Sequence, residues 1–213
     1  MAINIALKRA RKAQRRKQVV AEKRKAELLG SSLAGRVRRA AETPIQRCLL
    51  TGSLFEGGLG TLVLARGPTT QYVALGTFLI DVFCLGIKDV MFEMVGAEEL
   101  SMYVEATGLA APLVAVEPSY ARKLLRDVAG WAQSVGFQPH RDFAVVERLF
   151  GDVRADDCDV AFQFGQEGKP LYIPGPSESS AQVRRRIEHL RTTFGDESLD
   201  LDASAETRRI APL

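Results

Sequence analysis

Residues 72–95 read YVALGTFLIDVFCLGIKDVMFEMV, and the fold turns on how this run is divided. It is the most apolar segment of the chain. Up to Cys84 it is rich in Val, Phe, Leu and Ile, which suit a strand packed on both faces. From Ile87 on, Val90, Met91, Met94 and Val95 recur at helical spacing, which predicts a helix over 87–95. Gly86 stands at the changeover, where a permissive backbone is useful. Asp81 falls inside the apolar run, and a buried carboxylate is costly unless paired or protonated.

Working back from this run, LGTLVLA (59–65) reads as a strand, and the breakers Arg66-Gly67-Pro68-Thr69-Thr70 make the link between them a turn. The short link implies an antiparallel hairpin. Ile45–Leu50 reads as a further strand, with 53–58 as a loop, so a three-strand meander is expected. Gly52, Gly57, Gly58 and Gly60 lack the Gly-Lys-Ser/Thr ending that a phosphate loop needs, and read as turn glycines.

Working forward, Ala97–Val116 gives mixed signals, a short helix and a loop. Pro118-Ser119 opens the clearest helix: Tyr120, Ala121, Leu124, Leu125, Val128, Ala129, Ala132 and Val135 share one face, and Gly136 follows as a C-cap. Trp131 stands at the edge of that face and reads as core. Asp142 is positioned to cap a short helix, Phe143–Phe150. FQFGQEGKPLYI (162–173) reads as a second hairpin turning at Gly165–Gly168, with Phe162, Phe164, Leu171 and Ile173 facing inward. Ser179 with Gln182 forms a capping box for a last helix, through Leu190 or Arg191. The expected fold is α+β: an antiparallel sheet, a three-strand meander plus the later hairpin, packed with helices and preceded by a long basic N-terminal helix. The expected division is a basic helical arm at 1–42, an α+β domain at 43–194 and a disordered acidic tail at 195–213.

Charge carries the functional signal. Residues 1–39 hold 13 of the 29 Lys and Arg and two acids, Glu22 and Glu27, a net of +11; the remainder holds 16 basic and 24 acidic residues, a net of −8. Lys8, Arg9, Arg11, Lys12, Arg15, Arg16, Lys17, Lys23, Arg24 and Lys25 lie in a stretch free of Gly and Pro up to Leu29 and rich in helix formers, and Arg36, Arg38 and Arg39 extend the charge. Such a segment suits phosphate backbones, through counterion release. Without interleaved aromatics it does not suit base stacking, so the expected binding is led by charge and shape. Its few apolar residues form no continuous stripe, which argues against a membrane-surface helix. Arg184, Arg185 and Arg186 on the last helix form a second basic group. The reading is a non-catalytic nucleic-acid-associated protein, RNA ahead of DNA. The alternatives are a docking module whose arm meets an acidic protein, or a solvated tail.

Enzyme signals are thinner. Asp81, Asp89 and Asp152 are candidates to hold Mg²⁺ for phosphodiester hydrolysis if they converge, and that is the only case in which a cofactor is expected. Asp89 and Glu93 would share one face of the expected helix. His140, beside Asp142, is a candidate general acid or base. His140-Arg141-Asp142 matches a kinase triplet in letters, but the glycine loop, the downstream Asn and the DFG triplet are missing. Two histidines and three cysteines, Cys48, Cys84 and Cys158, without CxxC spacing, indicate no metal set and no disulfide framework. The run at 72–87 is too short and interrupted to span a bilayer. With no long apolar N-terminal segment, no secretory signal is expected and the protein reads as cytoplasmic.

LGTFLIDVFCLGIKD (75–89), SVGFQPHRDF (134–143), FGD (150–152) and FQFGQEGKPLYIPGP (162–176) together resemble a family of uncharacterised bacterial proteins, over about residues 44–176. The resemblance implies a bacterial, cytoplasmic α+β domain and carries over no functional residue. Some members bear a C-terminal metal-binding motif; here no Cys or His cluster follows Cys158.

Overall fold

The β-rich middle of the chain forms one five-stranded antiparallel sheet in a computed structural model that describes residues 32–68, 72–175 and 178–195. The meander is present as β1 (Ile45–Thr51), β2 (Leu59–Arg66) and β3 (Val73–Asp81). The link after β1 contains a single helical turn, α2 (Leu54–Gly57), rather than a plain loop. The fourth strand, β4 (Gly86–Val95), replaces the helix expected at 87–95. Apolar residues at 90, 91, 94 and 95 fit either period in so short a run, and pairing decides between them. Thr77 faces Met91 and Val73 faces Val95, which sends Val90 and Phe92 to one face and Val95 to the other. Leu79 pairs with Asp89 and Ile80 with Ile87, so Lys88 is the extra residue of a β-bulge. Asp89 and Glu93 therefore stand on a strand.

Asp81 makes the β3–β4 reversal possible. Its Oδ1 accepts from the N–H of Phe83 (3.0 Å) and of Cys84 (2.8 Å), closing the turn. Gly86 ends it at φ +68°; a Cβ there would lie 2.5 Å from the Ala132 Cβ, so only glycine lets the following helix approach.

The Ala97–Val116 region holds more structure than its mixed composition suggested: α3 (Ala97–Ala110), then a short strand β5 (Leu113–Ala115). β5 pairs with β1, giving the order β4-β3-β2-β1-β5. The long helix is present as α4 (Pro118–Ser134). The short one is a single turn, α5 (Phe143–Val146), running into a 3₁₀ turn, Glu147–Phe150; Asp142 makes no side-chain cap. The Ser179–Gln182 capping box opens α6 (Ser180–Phe194).

The second hairpin is not formed. Phe162–Ile173 contains no strand, only an isolated bridge between Gln166 and Lys169. Its N–H groups are taken instead by the β3–β4 turn: Gly165 donates to Val82 O and Leu171 to Phe83 O, each at 2.9 Å. Phe162 and Phe164 pack on the main core, while Leu171 and Tyr172 are buried elsewhere and Ile173 is exposed.

The sheet separates two unequal layers. Leu62, Leu64, Phe78 and Ile80 face α4, the 147–150 turn and the helix α1 (Leu33–Ala41). Among the described residues, Val63, Ala65, Val73 and Leu75 face α3, with Leu113 of β5 beside them on the same side of the sheet. α1 belongs to the larger core, although the sequence assigns these residues to the arm. Ser32 caps it by accepting from Gly35 N (3.1 Å), and Val37 is fully buried. A fully buried Val stabilises by about 1.5–3 kcal/mol, enough to fix the helix to the body. The expected arm helix up to Leu29 and the tail after Gly195 lie outside the described residues.

Candidate nucleic-acid interface

Cationic side chains on α1 divide by direction. Arg36 turns inward over the Phe92 ring (5.5 Å), where its Nε is buried with no hydrogen-bond partner among the described residues. Arg38 and Arg39 are exposed. Lys8 to Lys25, the densest part of the expected interface, lie outside the described residues.

At the end of α1 an open cavity of about 670 Å³ is lined by Arg38, Glu42, Thr43, Arg66, Gly151 and Asp152, with Ala41 and Pro44. Arg66 is buried. Its Nε donates to Thr43 O (2.6 Å) and its Nη1 to Leu149 O (2.9 Å). Burial weakens its hold on the proton, and Asp152 opposes that. Gly151, at φ +63°, leaves the space; a Cβ would lie 2.6 Å from Arg66 Nη1. The two cations are balanced by Glu42 and Asp152, so the cavity is not electropositive as a whole. The sequence placed Arg66 in a turn after a strand, and nothing in its neighbours signals that the guanidinium folds back under α1.

On α6 the three consecutive arginines also divide. Arg184 and Arg185 are exposed, with Arg185 Nε donating to Ala181 O (3.3 Å). Arg186 is committed to the fold. Its Nη1 lies 2.5 Å from Glu178 Oε2 and its guanidinium over the Tyr172 ring (5.7 Å). Lys88, displaced by the bulge, meets Glu178 Oε1 at 3.1 Å, and the Tyr172 hydroxyl donates to Glu178 Oε2. Burial alone would raise the Glu178 carboxyl; hydrogen bonds from Tyr172 and Arg186 outweigh it and hold the group below its ordinary range. The Tyr172 hydroxyl is pushed up to about 12 by burial and by the Glu178 carboxylate.

The carboxylates proposed for Mg²⁺ do not converge. Asp81 is buried in the β3–β4 turn, its proton affinity raised by burial, and its oxygen serves backbone N–H groups. Asp152 lines the Arg66 cavity; Arg66 pairs with Ala74, at the opposite end of β3 from Asp81. At about 3.3 Å per strand residue, that separation is on the order of 20 Å. Asp89 is exposed on β4 and bonds its neighbour's N–H, Val90 N (2.8 Å). Among the described residues no group of three or more His, Cys, Asp or Glu is placed to hold a metal ion.

His140 has two flanking carboxylates, Asp89 at 3.7 Å from Nε2 and Asp142 at 4.0 Å from Nδ1. Its own N–H donates to Ile87 O (2.9 Å) and Nδ1 accepts from Asp142 N (3.3 Å). These backbone bonds tie the 140–142 segment to the start of β4. Glu147 likewise serves the fold. It accepts from Arg122 Nε and Arg126 Nε, each at 2.7 Å, while Arg122 reaches Gly151 O (3.0 Å) and Val153 O.

One surface feature has no counterpart in the sequence reading. Phe55 stacks on Phe162 (5.9 Å), which contacts Tyr120 and Phe164, and Phe164 contacts Trp131 (5.8 Å). Trp131 is thus half-buried in an aromatic row rather than deep in the core. Among the described residues no helix is long and apolar enough to cross a membrane. No protein-family model matches the chain, and no curated protein or solved structure matches it.

Proposed function

We propose that this is a non-catalytic nucleic-acid-binding protein of the bacterial cytoplasm, engaging RNA ahead of DNA through the basic residues 8–25, with Arg38 and Arg39 at their root. The observation that supports it is the charge division, +11 in residues 1–39 against −8 in the rest, together with a fixed helix at the junction. Val37 and Ala40 seat α1 in the main core, so the residue that follows the basic segment in the chain is fixed to the body. A polyanion bound there is held to the folded domain. Arg184 and Arg185 offer secondary phosphate contacts; Arg36 and Arg186 are occupied within the fold.

Phosphate contacts position a ligand without reading its bases, so affinity should vary little with sequence and strongly with salt. For a single-stranded RNA, log K should fall against log[salt] with a slope of about −0.7 per phosphate neutralised, giving roughly −4 to −7 for six to ten contacts. Replacing Lys8, Arg9, Arg11 and Lys12 together by Gln should make the slope shallower by about 3. A salt-independent affinity, or a slope unchanged in that variant, would refute the reading. The carboxylate geometry lends no support to a hydrolase centred on Asp81.

A further inference from the structure

α3 is apolar on both of its sides. Leu100, Tyr103 and Val104 face the sheet. On the outward side Met102 is 64% and Leu109 84% exposed, with Ala106 between them. At 100° per residue these three fall within one narrow stripe, flanked by Glu98 and Glu105, with Glu99 beside them. A surface helix ordinarily keeps one apolar stripe, and that stripe faces the core. Two large apolar side chains at the solvent apex, edged with carboxylates, suit a cover that is both apolar and basic.

The chain contains such a segment. Residues 1–31 carry ten Lys and Arg against two Glu, and Ile5, Leu7, Val19, Val20, Leu28 and Leu29 among them. Reach is sufficient. The segment ends at the Ser32 cap of α1, and Arg36, one turn on, already lies over Phe92 of the edge strand β4. β4 borders both layers, with Phe92 in the larger core and Val95 in the one under α3. Even at 1.5 Å per residue the segment spans about 45 Å, roughly twice the thickness of a sheet and one helix layer.

We propose that residues 1–31 dock in cis on the outward face of α3. Met102, Ala106 and Leu109 receive the apolar side chains, and Glu98, Glu99 and Glu105 receive Lys and Arg. Exposed ion pairs of this kind are weak and screened by salt. A polyanion that neutralises the same cations with counterion release displaces the segment. The docking thus stands independently of nucleic-acid binding; where both operate, they compete, and the α3 face holds the basic segment when no polyanion is present.

Zero-length carbodiimide crosslinking of the full chain at low salt tests this, because it joins a lysine to a carboxylate only at contact. Peptide mapping of the monomer should find Lys8, Lys12, Lys17, Lys23 or Lys25 joined to Glu98, Glu99 or Glu105. In the Met102→Ser, Leu109→Ser double variant, which alters only exposed side chains and keeps every carboxylate, those links should fall about fivefold or more. Links directed to Asp156, Asp157 and Asp159, links found only between chains, or a yield unchanged in the double variant would each overturn the docking. Excess uridine homopolymer separates the two readings. If it removes the links, docking and RNA binding compete as proposed. If the links persist, docking holds and the nucleic-acid reading fails.

Discussion

α1 and α6 are near-copies in charge and opposites in attachment. Each carries three clustered arginines, Arg36, Arg38 and Arg39 on one and Arg184, Arg185 and Arg186 on the other. Each turns one of them onto an aromatic ring, Arg36 over Phe92 and Arg186 over Tyr172. Beneath that likeness, α1 sinks Val37 and Ala40 into the principal core. α6 places only Leu190 fully inside, in a small satellite cluster with Cys84, Leu85 and Tyr172; Val183 and Ile187 pack against that cluster half-buried, and the Glu178 ion cluster adds to the attachment. Equal basicity therefore has unequal mechanical meaning. Charge on α1 is coupled to the whole fold, whereas charge on α6 is coupled to a latch.

The sharpest way to break this contrast is to attack the two anchors. Val37→Asp puts an unpaired carboxylate into the main core and should destabilise the whole domain by about 4 kcal/mol or more, read as a single shifted denaturation transition. If only α1 frays while the rest melts unchanged, α1 is an appendage and the contrast is lost. Glu178→Gln should cost less, about 1–3 kcal/mol, and the loss should be local. Hydrogen exchange should rise along 180–194 and stay level in the sheet.

The same latch has a pH signature. The Glu178 carboxyl is held below its ordinary value in the fold, so its stabilising contribution is complete above the unfolded carboxyl pKa of about 4.3 and disappears as pH falls through the lower folded value. α6 protection should therefore drop below roughly pH 4 in the natural chain, and in Glu178→Gln this step should be missing. Protection that fell instead on raising the pH would contradict the arrangement.

These anchors show which parts of the molecule sequence patterning can and cannot reveal. The meander, α4 and the α6 capping box were legible because each is written locally: breakers between apolar runs, a 3.6-residue stripe, a Ser three residues before a Gln. β4 was misread because Val90, Met91, Met94 and Val95 satisfy both periods, and the pairing of Thr77 with Met91 that resolves them is not local. Phe162–Ile173 has hairpin chemistry in its glycines, yet its donors at Gly165 and Leu171 go to Val82 and Phe83, a partner some eighty residues away. Asp81 stands out in the sequence as a carboxylate inside an apolar run. The turn it closes gives it a structural role: its Oδ1 accepts from the N–H groups of Phe83 and Cys84. The division of each arginine trio into inward and outward members was illegible, because Phe92 and Glu178 are distant in sequence from the residues they hold.

The smallest expected effect separates the two helices as ligand surfaces. Arg184→Ala with Arg185→Ala should weaken RNA binding about threefold to tenfold and reduce the salt slope by about 1–2, leaving stability within about 0.5 kcal/mol. A loss as large as that from the N-terminal segment would move the interface to α6.

The central claim is that residues 1–31 confer polyanion binding on a body that is otherwise acidic. Its most direct measurement is the affinity for a single-stranded RNA of the full chain against the chain lacking residues 1–31, which keeps α1 and its Val37 anchor. At about 50 mM salt the deletion should lower affinity at least 100-fold, and by about 200 mM the gap should close as the full chain itself releases the ligand. Equal retention of the RNA by both chains across that range would contradict the account.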